Sequence, residues 1–118
     1  LPEVAKNILR LAREAGQAGL ELNKVSLGQD KKWLRQLAHQ KYITAIDEQI
    51  YFDMAVYQAL VSQAIGSNQP QDRITLQEIK QRVSLSRKYL IPFVNRMEKD
   101  GWLRRDDEVR TILKSSSK

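Results

Sequence analysis

The sequence predicts a mostly α fold with small β-hairpins (α+β), arranged as two tandem winged-helix, helix-turn-helix-like domains over residues 1–53 and 54–118. Three observations predict it. The stretch Ser86 to Arg105, SRKYLIPFVNRMEKDGWLRR, reads as a helix, a stop and a strand. The same order of elements, helix, short element, helix and hairpin, occurs twice at an offset of about 53 residues. The polar side of the second hairpin unit is basic: Arg87, Lys88, Arg96 and Lys99 on the helix, Arg104 and Arg105 on the strand.

Taken in order, residues 2–15 have helical spacing. Pro2 suits a first turn, and Val4, Ile8, Leu11 and Ala15 mark one face. Gly16 and Gly19 end the run. Leu20, Leu22, Val25 and Leu27 predict a short strand or turn and then a short helix, which Gly28 breaks. Asp30 to Gln40 is a helix with Trp33, Leu34, Leu37 and Ala38 inward. Tyr42–Ile46 and Ile50–Phe52 alternate as strands around a polar turn, Asp47-Glu48-Gln49. Asp53 is placed to cap a helix from Met54 to Ile65. GSNQPQD, residues 66–72, is a polar loop, and Ile74 is a short strand. Thr75-Leu-Gln-Glu78 fits a capping box, in which the two side chains satisfy each other's backbone donors. It opens a helix that buries Leu76, Ile79 and Val83. Leu90, Ile91, Val94 and Met97 recur at the spacing of a buried stripe, with Ser86 placed to accept a capping bond and Gly101 to close the helix in a left-handed conformation. Trp102–Arg105 and Val109–Leu113 form the second hairpin, followed by a polar tail, Lys114–Lys118. Pro92 lies inside the key helix, where it removes the bond to the Lys88 carbonyl at a cost of about 3 kcal/mol. A separate first turn, a kink, or packing of Leu90, Ile91, Phe93 and Val94 that offsets the cost, would accommodate it.

Charge is unevenly divided. Residues 1–55 carry eight Lys/Arg against seven Asp/Glu, and residues 56–118 carry twelve against seven, so the second half holds most of the net +6. An anionic partner is expected there. The absence of cysteine excludes disulfides and thiolate zinc sites, and one histidine without paired ligand spacing argues against a transition-metal site. No phosphate loop, no nucleophile with a base and no isolated carboxylate pair points to an enzyme. No apolar run approaches the roughly 18 residues of a membrane span. The expected product is therefore a binding module without metal or cofactor and without membrane contact.

SRKYLIPF, followed by GWLRR and a short turn to VRTIL, resembles the C-terminal end of the bacterial selenocysteine-specific elongation factor family. In that family a translation GTPase carries four winged-helix domains at its C-terminus. The last of them grips the selenocysteine insertion hairpin (SECIS) of the messenger RNA. Ser86, Arg87, Lys88 and Pro92 match the small residue, Arg-Lys pair and proline at the head of the family's third helix. Arg104 and Arg105 match the start of its wing. Leu103 stands where threonine is often seen, and the acidic turn Asp106-Asp107-Glu108 departs from the family pattern. YITAIDEQIYF is similar to the family's third-domain hairpin.

The resemblance implies that residues 1–53 are the third of four domains and residues 54–118 the fourth, RNA-binding one, within a fragment of a larger cytoplasmic protein. It implies an mRNA hairpin as partner, with Ser86, Arg87, Lys88, Arg104, Arg105 and Arg110 as contacts, and a monomeric state. Ribosome and selenocysteinyl-tRNA would be met through the full-length parent. GTP and Mg would belong to the missing N-terminal part, leaving no cofactor in this stretch. The chemistry of the residues is compatible: a helix N-terminus offers N–H donors to a phosphate, Arg87 is able to stack on or pair with a splayed base, and strand alternation sends Arg104 and Arg105 to opposite faces. The alternative function is a winged-helix DNA-binding module of a transcription regulator, with the 86–100 helix in a major groove. A protein-interaction tandem is a third class, which leaves the basic half unexplained.

Overall fold

The computed structural model describes residues 1–22 and 29–115. The chain divides into two compact units, Leu1–Tyr57 and Gln58–Lys118, with the boundary inside the helix that begins at Met54. The parts of the first-half reading that rest on Val25, Leu27 and Gly28, and the end of the C-terminal tail, lie outside the described residues.

The first unit runs α1 (Glu3–Ala15), a 3-10 turn (Gly16–Ala18), β1 (Leu20–Glu21), α2 (Gln29–His39), β2 (Ile43–Ala45) and β3 (Ile50–Asp53). Its three strands pair antiparallel in the order β1-β3-β2. Ala5, Ile8, Leu9 and Ala12 of α1 pack with Leu20, Leu34, Leu37 and Ile43. The buried face of α1 is thus rotated from the expected stripe: Val4 and Leu11 are only half-buried. Residues 4, 5, 8, 9, 11 and 12 are all apolar, and of these the small Ala5 and Ala12 are buried with Ile8 and Leu9. Gly19 has φ +75, and a Cβ there would stand 2.9 Å from Phe52 Cε1, so this turn requires glycine.

The boundary between the units crosses α3 (Met54–Ile65), and the second unit continues with β4 (Arg73–Thr75), α4 (Leu76–Arg82), α5 (Arg87–Lys99), β5 (Leu103–Asp106) and β6 (Val109–Ile112), with strand order β4-β6-β5. Asp53 caps the start of α3 by accepting from the Ala55 N–H at 3.1 Å. Arg82 of α4 closes its other end, donating to the carbonyls of Ala64 and Ile65 at 2.9 and 3.1 Å and to Asn68 Oδ1 at 2.7 Å. The Thr75–Glu78 capping box forms as the sequence predicts. Leu60, Val61, Ala64, Ile65, Ile74, Ile79, Phe93, Val94, Met97, Leu103 and Ile112 are buried. Both units therefore have the winged-helix order of an α+β fold: helix, edge strand, recognition-type helix and hairpin, with α4 standing before the recognition-type helix in the second.

One expectation about the faces of α5 changes. The helix is continuous through Pro92. Its inward stripe is Tyr89, Leu90, Phe93, Val94 and Met97, while Ile91, expected in that stripe, is 45% exposed. Leu90 and Ile91 lie about 100° apart around the axis. With Phe93, Val94 and Met97 fixing the core face, only Leu90 of the two reaches it. The packing of this five-residue stripe offsets what Pro92 costs. Among the described residues no helix is long and apolar enough to cross a membrane.

Candidate nucleic-acid interface

The head of α5 and the β5–β6 hairpin carry the six residues singled out from the sequence, and they fall into distinct environments. Ser86 is the N-cap of α5, with extended backbone, but its hydroxyl makes no capping bond. Its carbonyl instead accepts from the Tyr89 and Leu90 N–H groups, both at 3.0 Å. The expected side-chain cap is therefore replaced by backbone closure, and the exposed hydroxyl is left at the helix head. Arg87 is exposed, and its guanidinium has no hydrogen bond or ion pair among the described residues. Lys88 is exposed, and its Nζ sits 5.5 Å from the centroid of the Tyr89 ring. These residues occupy the positive end of the helix dipole.

On the hairpin, cross-strand register decides which way each arginine points. Leu103 pairs with Ile112, Arg104 with Thr111 and Arg105 with Arg110. Directly opposed residues share a face, so Arg105 lies on the inner face, the one that packs against α5. It is exposed and unpaired among the described residues. Arg104 is on the outer face, held by Asp106 through two contacts of 3.4 Å.

Arg110 does not join this surface. Its side chain is 6% exposed, and its Nε donates to Glu98 Oε2 of α5 at 3.1 Å. It is opposed on its other side by the buried Ile74. Arg110 is a strut between the sheet and the helix. Strand alternation alone places it inward, but its charge made it look like a surface residue. Arg96 is likewise engaged, with Asp100 at 3.1 Å.

Sequence reasoning missed Arg73. From β4 it pairs with Thr111 of β6, so Arg73, Thr111 and Arg104 form one row across the outer face. Asp106 is tied into that row. The Thr111 hydroxyl, donating at 2.6 Å, holds its carboxyl below the usual range, and the Arg104 and Arg73 guanidinium groups add to this. The only signal for Arg73 was its neighbour Ile74, which had to point inward and so sent residue 73 outward.

In the first unit, Lys31 and Arg35, one turn apart on α2, line a cleft of about 360 Å³ with Leu22, Glu48, Gln49 and Tyr51. Lys32 is exposed beside it. Among the described residues no group of acidic side chains and histidine is arranged to hold a metal ion.

No curated protein sequence matches the chain. Among solved structures, it is similar to the mRNA-binding domain of elongation factor SelB from E. coli, in complex with SECIS RNA. The TM-score is 0.76 at 18% identity, covering 96% of this chain and 99% of that one. It is also similar to the bacterial selenocysteine-specific elongation factor EF-Sec, with TM-score 0.77 and 17% identity over 94% of this chain. There the match spans only 18% of the longer chain. At these identities the likeness establishes the tandem winged-helix fold. The resemblance read from SRKYLIPF and GWLRR is matched in sequence as well: the model of the winged helix of elongation factor SelB covers residues 68–112, from the loop before β4 to the end of β6.

Proposed function

We propose that this chain binds an mRNA hairpin of the selenocysteine insertion type, as the C-terminal part of a selenocysteine-specific elongation factor, and so tethers the factor to the message for UGA recoding. The observation that carries it is the pair of exposed, unpaired arginines, Arg87 at the positive end of α5 and Arg105 on the α5 side of the hairpin, in a unit that matches the SelB winged-helix model. Lys88 and the Ser86 hydroxyl complete the helix-head contact. Arg104 is a secondary contact, because an RNA phosphate must compete with Asp106 for it. The module is non-catalytic. On this reading GTP and Mg, and contacts to the ribosome and selenocysteinyl-tRNA, belong to the rest of such a factor.

A titration with a fluorescent RNA hairpin carrying a bulge and a short loop tests this, run against duplex DNA of equal charge. Duplex DNA is the discriminating competitor, since the continuous α5 has the shape of a groove-reading helix. Hairpin affinity at least about tenfold above DNA, lost in a folded Arg87→Ala, is expected. Equal binding to both, insensitive to the substitution, refutes the proposal.

A further inference from the structure

In the proposed binding mode the cations at the head of α5 contact phosphates, but phosphate contacts do not by themselves carry sequence information. The rest of the exposed face of α5 has a different composition. Arg87, Ile91 and Asn95 are all exposed and succeed each other at four-residue intervals. They form one line along the helix with a rise of about 6 Å per step. Ile91, at 45%, is an exposed large hydrophobic in the middle of that line. Among the described residues of the second unit it is the one such side chain. The core of α5 is already filled by Leu90, Phe93, Val94 and Met97, so Ile91 contributes nothing to it. The Asn95 side chain has no hydrogen bond among the described residues, and its amide presents both a donor and an acceptor.

A cation, a branched aliphatic surface and an unengaged amide in one row have the chemistry needed to fix, cover and read one unpaired base. We infer that Ile91 and Asn95 are the specificity-determining residues of this interface. Ile91 packs on the face of a loop base splayed out of the hairpin, and Asn95 pairs with that base's edge. Asparagine matches adenine best, taking N6 as donor and N7 as acceptor, so an unpaired adenine is the expected base. The inference rests on the proposed hairpin binding and adds which side chains discriminate among loops.

The test is a selection from RNA hairpins with a randomised loop, using the 118-residue protein and its Ile91→Ala, Asn95→Ala and Arg87→Ala variants. Circular dichroism confirms folding; the three side chains are exposed, so all are expected to fold. The protein should enrich loops with adenine at one position. Asn95→Ala should lose that preference, bringing the selected hairpin within about threefold of the unselected pool. Ile91→Ala should weaken the selected hairpin about tenfold. Both should keep the salt dependence of binding, whereas Arg87→Ala should flatten it by just under one unit of log–log slope. If hairpins bind and the Ile91 and Asn95 variants select and bind like the parent, the inference falls while the proposed function stands. If the parent binds no hairpin in preference to duplex DNA, both fall.

Discussion

Replacing Arg110 separates a strut from a binding residue. Its guanidinium is 3.1 Å from the Glu98 carboxylate, with side-chain exposures of 6% and 20%. At an effective dielectric constant of 20, charges at that separation attract by about 5 kcal/mol, most of which desolvation of the two ions cancels. Removing one partner forfeits the attraction but not the burial of the other. Arg110→Met therefore strands the Glu98 carboxylate, a change that costs about 3–5 kcal/mol in buried pairs. Glu98 retains some access to water, so the lower end, about 3 kcal/mol, is expected here. That is roughly a hundredfold in the folding equilibrium and a large fraction of a small domain's stability. Urea unfolding followed by circular dichroism should show a markedly lower midpoint for Arg110→Met. Glu98→Gln keeps an acceptor for the guanidinium and should cost about 1–2 kcal/mol. Hairpin affinity, measured where each variant is folded, should change less than threefold. An unchanged midpoint combined with a tenfold loss of affinity would refute the strut and return Arg110 to the interface.

Gly19→Ala should destabilise the first unit by about 2–4 kcal/mol, from the positive φ and the 2.9 Å approach to Phe52; an unfolding midpoint equal to the parent's would contradict this. Lys41, at φ 66, closes α2 as Gly101 closes α5, with the Tyr42 N–H reaching the Leu37 carbonyl at 3.0 Å. Lys41→Gly should therefore raise stability by about 1 kcal/mol in the same urea titration. Folding lowers the pKa of Asp106, first through the Thr111 hydroxyl and then through Arg104. It also lowers that of Glu78 through the Thr75 backbone and hydroxyl. Their contribution is present above the unfolded values near pH 4 and disappears as pH falls through the depressed folded ones. Thr111→Val should accordingly raise the Asp106 titration midpoint in carboxylate NMR, and an unmoved midpoint would count against the hydroxyl as the main cause. With Arg110 buried and Arg104 engaged, the proposed phosphate contacts reduce to Arg87, Lys88 and Arg105. The log–log salt slope of hairpin binding should then lie near −2 to −3; a flat dependence would exclude phosphate contact.

The order of elements was legible because each is bounded by local chemistry: the Thr75–Glu78 box, Gly101, the Asp47–Gln49 turn. The partition of one helix between core and surface was not. The apolar run Leu90-Ile91 offers two adjacent candidates for one core position, and only the third dimension chooses between them. Closure of α2 was hidden because a lysine adopts the conformation for which glycine is the usual signal. At the interface, the helix head was legible from its dipole and charge. The split among the hairpin arginines was not, since it depends on which residue opposes which across three strands.

That register also locates where the two units differ in what they are able to bind. In the first unit the inner-face row is Leu20, Tyr51 and Ala45; in the second it is Ile74, Arg110 and Arg105. The rows are equivalent, since each runs from edge strand through central strand to hairpin strand. The aromatic and alanine of the first row need no counter-charge, and Tyr51 packs against the apolar core. Of the two arginines of the second, only the buried Arg110 needs compensation. Arg110 takes it from Glu98. Arg105 has no such partner among the described residues, which leaves its charge for a ligand. A single carboxylate on α5 thus satisfies one of two facing cations, and the fold itself is indifferent to the other. The difference in affinity for polyanions between the two units should follow these few positions. Transplanting arginine to Ala45 is the converse experiment: Ala45→Arg adds a cation at the site equivalent to Arg105, and should increase the salt-dependent binding of RNA by the chain without altering its unfolding midpoint by more than about 0.5 kcal/mol. No gain in affinity would show that position within the row does not confer phosphate contact.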